Sequence, residues 1–163
     1  MKSDEIELLF TKYYNDALLY TVSLSKDPSI SEDIVSNAFY KALTTADDDE
    51  RIVNFKAWLF TVCRNLYFSS RRRHSNKKVD PLDDGYADES DSIVDEIIRD
   101  EEYRALYRAI ELLPENQKEV ILLYYFENLQ IKDICKIVGK SETNVKVTLS
   151  RAREGLKKIL GAP

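Results

Sequence analysis

Residues 130–154, QIKDICKIVGKSETNVKVTLSRARE, decide the fold of the C-terminal part of this chain. Ile131, Ile134, Cys135 and Val138 recur at i, i+3, i+4 and i+7, which predicts one apolar face of a short helix. Gly139 follows where a helix ends in the left-handed conformation that glycine adopts most easily. Ser141 is a good N-cap for a second helix, whose inner face is predicted to be Val145, Leu149 and Ala152. The outer face then carries Glu142, Asn144, Lys146, Val147, Ser150, Arg151 and Arg153. Two helices joined by a tight turn, the second backed by apolar residues and faced with polar and basic ones, form a helix-turn-helix suited to a DNA major groove.

A plain helical hairpin with a solvated basic face would show the same periodicity. Local charge separates the two. From Lys132 to Pro163 the bases are Lys132, Lys136, Lys140, Lys146, Arg151, Arg153, Lys157 and Lys158, against Asp133, Glu142 and Glu154. A positive stripe inside an acidic protein is the footprint of phosphate contact. The net charge of the whole chain is −5, so contact with nucleic acid must be local rather than a general coat.

At 163 residues the chain has room for one or two small domains. Its 44% apolar content suffices for packed cores, and four glycines and four prolines suit a mostly helical protein. Cys63 and Cys135 lie far apart in apolar helical patterns and read as buried small hydrophobes, without zinc or CxxC spacing. MKSDEIELLF lacks the order of a signal peptide, and no segment approaches the roughly 18 apolar residues of a membrane span. A cytoplasmic location is expected. Neither a Ser–His pair, nor paired carboxylates on an apolar face, nor a phosphate loop is present, and His74 sits alone in a basic run. No enzymatic chemistry, cofactor or metal is expected.

Working outward, residues 4–25 form a first helix with Ile6, Phe10, Tyr13, Tyr14, Ala17, Leu18, Thr21 and Leu24 on one face. Asp27-Pro28 breaks it, and Ser29 or Ser31 caps a second helix over 31–43 with Ile34, Ala38 and Ala42 inward. TTADDDERIVN (44–54) reads as a loop. Phe55–Arg73 is a third helix that begins aromatic and ends in three arginines. Trp58, Leu59, Val62 and Leu66 make its core stripe. Its mixture of aromatics with Lys56, Arg64, Asn65, Arg71, Arg72 and Arg73 suits single-stranded nucleic acid, which is held by stacking inside a positive groove.

Residues 79–102 hold eleven acidic residues, with Arg99 the sole base. Such a stretch buries too little to offset its ordering entropy and reads as a flexible tether, with helical pattern resuming near Ile93. A helix ends at Leu113 before Pro114, and another follows over 115–127. The expected architecture is all-α: a helical domain over 1–74, an acidic flexible linker over 75–102, and a helical domain over 103–163 containing the helix-turn-helix.

Three segments carry a family resemblance: SEDIVSNAFYKAL (31–43), FKAWLFTVCRNLYFSSRRR (55–73) and LPENQKEVILLYYFENLQIKDICKIVGKSETNVKVTLSRAREGLKKIL (113–160). Together they resemble the extracytoplasmic-function sigma factors of bacterial RNA polymerase, which retain only the second and fourth sigma regions. The resemblance spans nearly the whole chain, and its last segment is very specific.

It implies a promoter-specificity subunit that binds core polymerase and promoter DNA. The 31–43 helix would dock on the β′ coiled coil through Glu32, Asp33, Ser36, Asn37 and Phe39. Ser36 and Asn37 depart from the family's usual Gln and Glu. Asn54, Lys56, Arg64 and Asn65 would capture the opened −10 element, with Arg71, Arg72 and Arg73 on duplex phosphates upstream. Lys146, Val147, Ser150 and Arg151 would read the −35 duplex, with Lys140, Ser141, Thr143 and Arg153 on phosphates. Thr148 stands where a base is frequent, and Cys135 where a small alanine is usual. An acidic linker would imitate nascent RNA along the exit path. The resemblance also implies an anti-sigma partner, soluble or membrane-anchored. A dimeric helix-turn-helix repressor with an N-terminal sensing domain is the competing expectation. It leaves the aromatic-basic helix and the acidic stretch without a role.

Overall fold

The computed structural model describes residues 3–44, 54–74 and 85–161, and every regular element among them is a helix. The chain divides into two compact units, 1–93 and 94–163.

In the first unit, helices α1 (Ser3–Ser25), α2 (Pro28–Thr44) and α3 (Phe55–His74) pack on one another. The α1–α2 corner differs from expectation. Helix α2 begins at Pro28 rather than near 31, and Asp27 is its cap: Oδ1 accepts the backbone N–H of Ser29 at 3.0 Å and of Ile30 at 3.2 Å. Asp-Pro thus both ends one helix and opens the next, because proline at the first helical position gives up an N–H that would have no helical partner. Ser31, expected as a possible cap, is buried with its hydroxyl 2.6 Å from that of Ser25.

The core of this unit is aromatic. Tyr20 stacks on Phe60 with centroids 5.0 Å apart and planes 4° from parallel. Phe39 meets Phe10 edge-on at 4.9 Å and Phe55 at 5.8 Å, so one ring touches all three helices. Residues 17–23 of α1 are buried all round, so the burial of α1 exceeds the single face expected. In α3 the buried positions are Phe55, Ala57, Leu59, Phe60 and Cys63. Trp58, Val62 and Leu66 of the expected stripe are only half-buried.

The stretch expected to be a flexible linker is helical from Gly85 to Ile97 (α4); residues 75–84 of it lie outside the described residues. Val94 and Ile98 are buried, and Asp95 pairs with Arg108, which ties the end of α4 into the second unit. Asp100 then caps α5 (Glu101–Glu111), accepting from the N–H groups of Glu102 and Tyr103. The charges of this stretch give caps and an ion pair where apolar side chains recur at helical spacing.

The second unit continues with α6 (Glu115–Ile121), α7 (Ile131–Val138) and α8 (Glu142–Ile159). The helix expected over 115–127 is α-helical only to Ile121. Leu122–Phe126 form a π turn, closed by the Glu127 N–H on the Leu122 carbonyl at 3.2 Å. Asn128 is left-handed (φ 55) and ends the element. Ile134, Ile137, Val138, Val145, Leu149 and Ala152 join Tyr107, Ile110, Val120 and Leu122 in the core. Fully burying each large aliphatic side chain here contributes about 1.5–3 kcal/mol. Gly155 lets α8 approach closely: a Cβ there would sit 2.9 Å from Leu113 Cδ2.

Two outcomes follow from this packing. Asp27→Ala should destabilise the chain by about 0.5–2 kcal/mol, the usual loss for an N-cap, seen as a lower urea midpoint. Burial pushes the Cys63 thiol up to about 12, whereas Cys135 is half-exposed rather than buried as expected. A thiol reagent should therefore modify one cysteine of the native protein promptly and the second only after unfolding.

Candidate nucleic-acid interface

The turn between α7 and α8 forms as its residues dictate. Gly139 is left-handed (φ 68), and its N–H and that of Lys140 both donate to the Cys135 carbonyl, at 2.9 and 3.2 Å. The Ser141 hydroxyl accepts the Asn144 N–H at 3.1 Å and caps α8. Val145, Leu149 and Ala152 face inward as expected.

The opposite side of α8 presents Thr143, Lys146, Val147, Ser150 and Arg151 to solvent, with Lys140 and Ser141 exposed at its start. Val147 is 42% exposed, an apolar side chain among polar ones. Lys146 Nζ lies 2.7 Å from Glu142 Oε1. This hydrogen-bonded ion pair holds the Glu142 carboxyl below its ordinary range and the Lys146 ammonium above its own. Both groups are exposed, so the pair is worth little and Lys146 can exchange it for a phosphate or base.

Two residues of α8 differ from expectation. Thr148 is 7% exposed and its hydroxyl lies 3.4 Å from Asn144 Oδ1, so this position faces inward. Arg153, expected on a phosphate, donates from Nε to the Tyr125 hydroxyl at 2.7 Å. Its guanidinium also lies 5.6 Å from the Tyr124 ring and 5.5 Å from the Tyr125 ring.

In the first unit, the structure sorts the expected residues by face. Glu32, Asp33, Ser36 and Asn37 are exposed together along α2. Phe39 is not part of that surface. It is 4% exposed, because the aromatic core requires one ring at the centre of the three helices. Tyr40, which the sequence reading passed over, is exposed and continues the stripe of Ser36 and Asn37. An aromatic pair at adjacent positions could have raised the question, but only burial shows which member is outside.

On α3, Asn65, Arg71, Arg72 and Arg73 are exposed, as is Asn54 just before the helix. Arg64 is half-buried with its guanidinium 4.7 Å from the Phe68 ring, one helical turn on. Lys56 turns inward instead. Its side chain is 20% exposed, pairs with Asp16 at 3.8 Å and lies 5.8 Å from the Phe60 ring. Its charge is engaged in joining α3 to α1.

The arrangement defines a two-unit helical DNA-binding protein: one unit displays a helix-turn-helix, the other an arginine-ended aromatic helix beside an acidic-polar helix. Residues 9–77 match Sigma-70 region 2, and residues 103–156 match Sigma-70, region 4. The chain is 30% identical over 155 residues to the ECF RNA polymerase sigma factor SigM of Bacillus subtilis, covering 94% of each protein. It is also 30% identical over 143 residues to the ECF RNA polymerase sigma factor EcfG of Rhodopseudomonas palustris, covering 86% of this chain and 77% of that protein. The sigma factor RpoE of Bartonella quintana, solved in complex with the anti-sigma factor NepR, shares the fold with a TM-score of 0.68 at 24% identity, over 95% of this chain and 96% of that one. The chain belongs to the extracytoplasmic-function sigma factors of the sigma-70 family.

The ion pair on α8 carries a pH signature. Because the Glu142 carboxyl is lowered by Lys146, the pair is kept above the ordinary glutamate range and is lost, as pH falls, later than an unpaired glutamate would take up its proton. Carbon-detected NMR titration should find Glu142 titrating below the exposed glutamates, and Lys146→Ala should return it to their range.

Proposed function

We propose that this protein is an alternative sigma factor that directs bacterial RNA polymerase core to a specific set of promoters. One observation carries the reading most directly: a single chain holds both sigma regions, and the second ends in a capped helix with its polar and basic side chains outward. The C-terminal unit reads the −35 duplex with Lys146, Val147, Ser150 and Arg151, while Lys140, Ser141 and Thr143 hold phosphates. The N-terminal unit opens and traps the −10 element with Asn54, Arg64 and Asn65, with Arg71 to Arg73 on the upstream duplex. Lys56 supports α3 from inside. Glu32, Asp33, Ser36 and Asn37, extended by Tyr40, form the α2 surface that meets the β′ coiled coil.

Physical chemistry supports this division of labour. Phosphate contacts fix register and are sequence-blind, whereas base-edge contacts discriminate. Unstacked bases need aromatic or guanidinium faces, and α3 displays Arg64 on Phe68 beside Asn65. Each unit alone offers a small contact area. Joint presentation on the polymerase would raise the effective concentration of the second contact once the first has formed. The action is binding and presentation rather than covalent catalysis, and it takes place on DNA in the cytoplasm. Charged and polar surfaces on both units suit capture by an anti-sigma protein. The dimeric repressor is not supported, since the relatives that match across both units are sigma factors.

Run-off transcription on a genomic fragment library, with core polymerase and with or without this protein, tests the proposal. Discrete new transcripts sharing spaced −35 and −10 sequences are the expected result. Tight duplex binding by the protein alone with no transcript would overturn it. On a promoter so found, Arg151→Ala and Lys146→Ala should each lower −35-dependent transcription about tenfold. That is the order expected for a lost base contact of ~1–3 kcal/mol. Binding to core, measured by competition with the wild type, should be unchanged.

A further inference from the structure

Arg153 is basic, exposed and on the recognition helix, yet its geometry sets it apart from the other bases of that helix. At about 100° per residue, Arg151 and Arg153 lie on roughly opposite sides of α8. Arg151 lies on the side of Val147, one turn away. Arg153 lies one turn from the buried Leu149 and the half-buried Leu156, at the edge of the packed face.

Its partners are also unusual. Tyr124 and Tyr125 stand edge to face, 4.9 Å apart and 79° from parallel, and both belong to the π turn Leu122–Phe126. A π turn holds one more residue than an α turn, so side chains on either side of it point in directions an unbroken α-helix would not allow. Here it places both tyrosines against a single guanidinium. Phe126, from the same turn, packs edge-on against the buried Tyr107 at 5.8 Å, which anchors the turn to α5. Arg153 and Tyr125 further wall an apolar groove of about 320 Å³ with Ile110, Ile121, Leu156 and Leu160. Each contact is partly exposed, and what sets Arg153 apart is that a hydrogen bond and two ring contacts converge on one guanidinium. Turning Arg153 to a phosphate would break the Tyr125 hydrogen bond and vacate both ring faces, unlike Lys146, whose solvated pair with Glu142 is readily exchanged.

We propose that Arg153 is not a DNA contact but a positioning residue: with Tyr125 it fastens the recognition helix to the π turn and sets the angle at which Lys146, Val147, Ser150 and Arg151 are presented. The inference rests on the sigma-factor reading for its effect on transcription, and on geometry alone for the fastener. Angle matters because a base-edge hydrogen bond is directional and weakens steeply when its donor turns away.

The experiment compares four full-length proteins: wild type, Tyr125→Phe, Arg153→Ala and the double variant. Each is assembled with core polymerase on one promoter template with its −35 element intact and one with it scrambled, across a salt series. Tyr125→Phe removes one hydroxyl distant from the DNA-facing stripe. It should lower the ratio of intact to scrambled transcription three- to tenfold, at temperatures where circular dichroism shows all four proteins folded. Arg153→Ala should do the same, the double variant should be no worse than Arg153→Ala, and the dependence of DNA affinity on salt should keep its slope. A silent Tyr125→Phe, together with an Arg153→Ala variant whose salt slope falls by about one, the loss of one phosphate contact, would overturn the proposal. If the wild type shows no −35 dependence, the sigma reading fails and urea unfolding of the same four proteins decides the fastener. Midpoint shifts that do not add across the double variant support it; additive shifts overturn it.

Discussion

The left-handed turn at Gly139 fixes the angle between α7 and α8, and the DNA-facing surface depends on that angle. Gly139 is the residue type that reaches φ 68 without a Cβ penalty, and the Ser141 cap starts α8 two residues later. Once those two conditions hold, the stripe of Val145, Leu149 and Ala152 can enter the core in only one register. Lys146, Val147, Ser150 and Arg151 are then outward as a consequence of packing, with no separate force needed to expose them. The close approach at Gly155 and the Arg153–Tyr125 hydrogen bond act farther along the same helix and hold its second half.

A comparable constraint orders the first unit. Phe39 lies between Phe10 and Phe55, so all three helices share one aromatic centre. Phe39 is buried together with Ile34, Val35, Ala38 and Ala42, which leaves Glu32, Asp33, Ser36, Asn37 and Tyr40 exposed on the rest of α2. Inward-turned Lys56 ties α3 to α1 through Asp16 while leaving the arginines at the far end of α3 in solvent. In both units the functional surface is the complement of a core.

Local features were legible because their causes are local. Helical periodicity, a glycine at a helix end, a serine before an apolar run and an Asp-Pro pair act within a few residues, and the helices α1, α3, α7 and α8 lie where those features put them. Periodicity says less where a neighbour distant in sequence decides. Phe39 looks like a surface residue until α1 and α3 are packed against it, and Lys56 until α1 is. Thr148 and Arg153 each lie beside the predicted inner stripe, and periodicity resolves a helix face only to about one residue on either side. The end of the acidic stretch is held because Val94 and Ile98 find apolar cover and Asp95 finds Arg108, partners that composition does not show.

The sequence by itself determined an all-α chain with a helix-turn-helix, the identity of its outward basic residues and its membership of the sigma-factor family. The first two follow from spacing along the chain, which needs no knowledge of what lies across a helix; the third rests on the resemblance of three segments to that family. Tertiary structure decided which of those residues are free to meet DNA or polymerase. A side chain's availability depends on the surface opposite it, and that surface comes from other helices: an aspartate on α1 for Lys56, and two phenylalanines for Phe39.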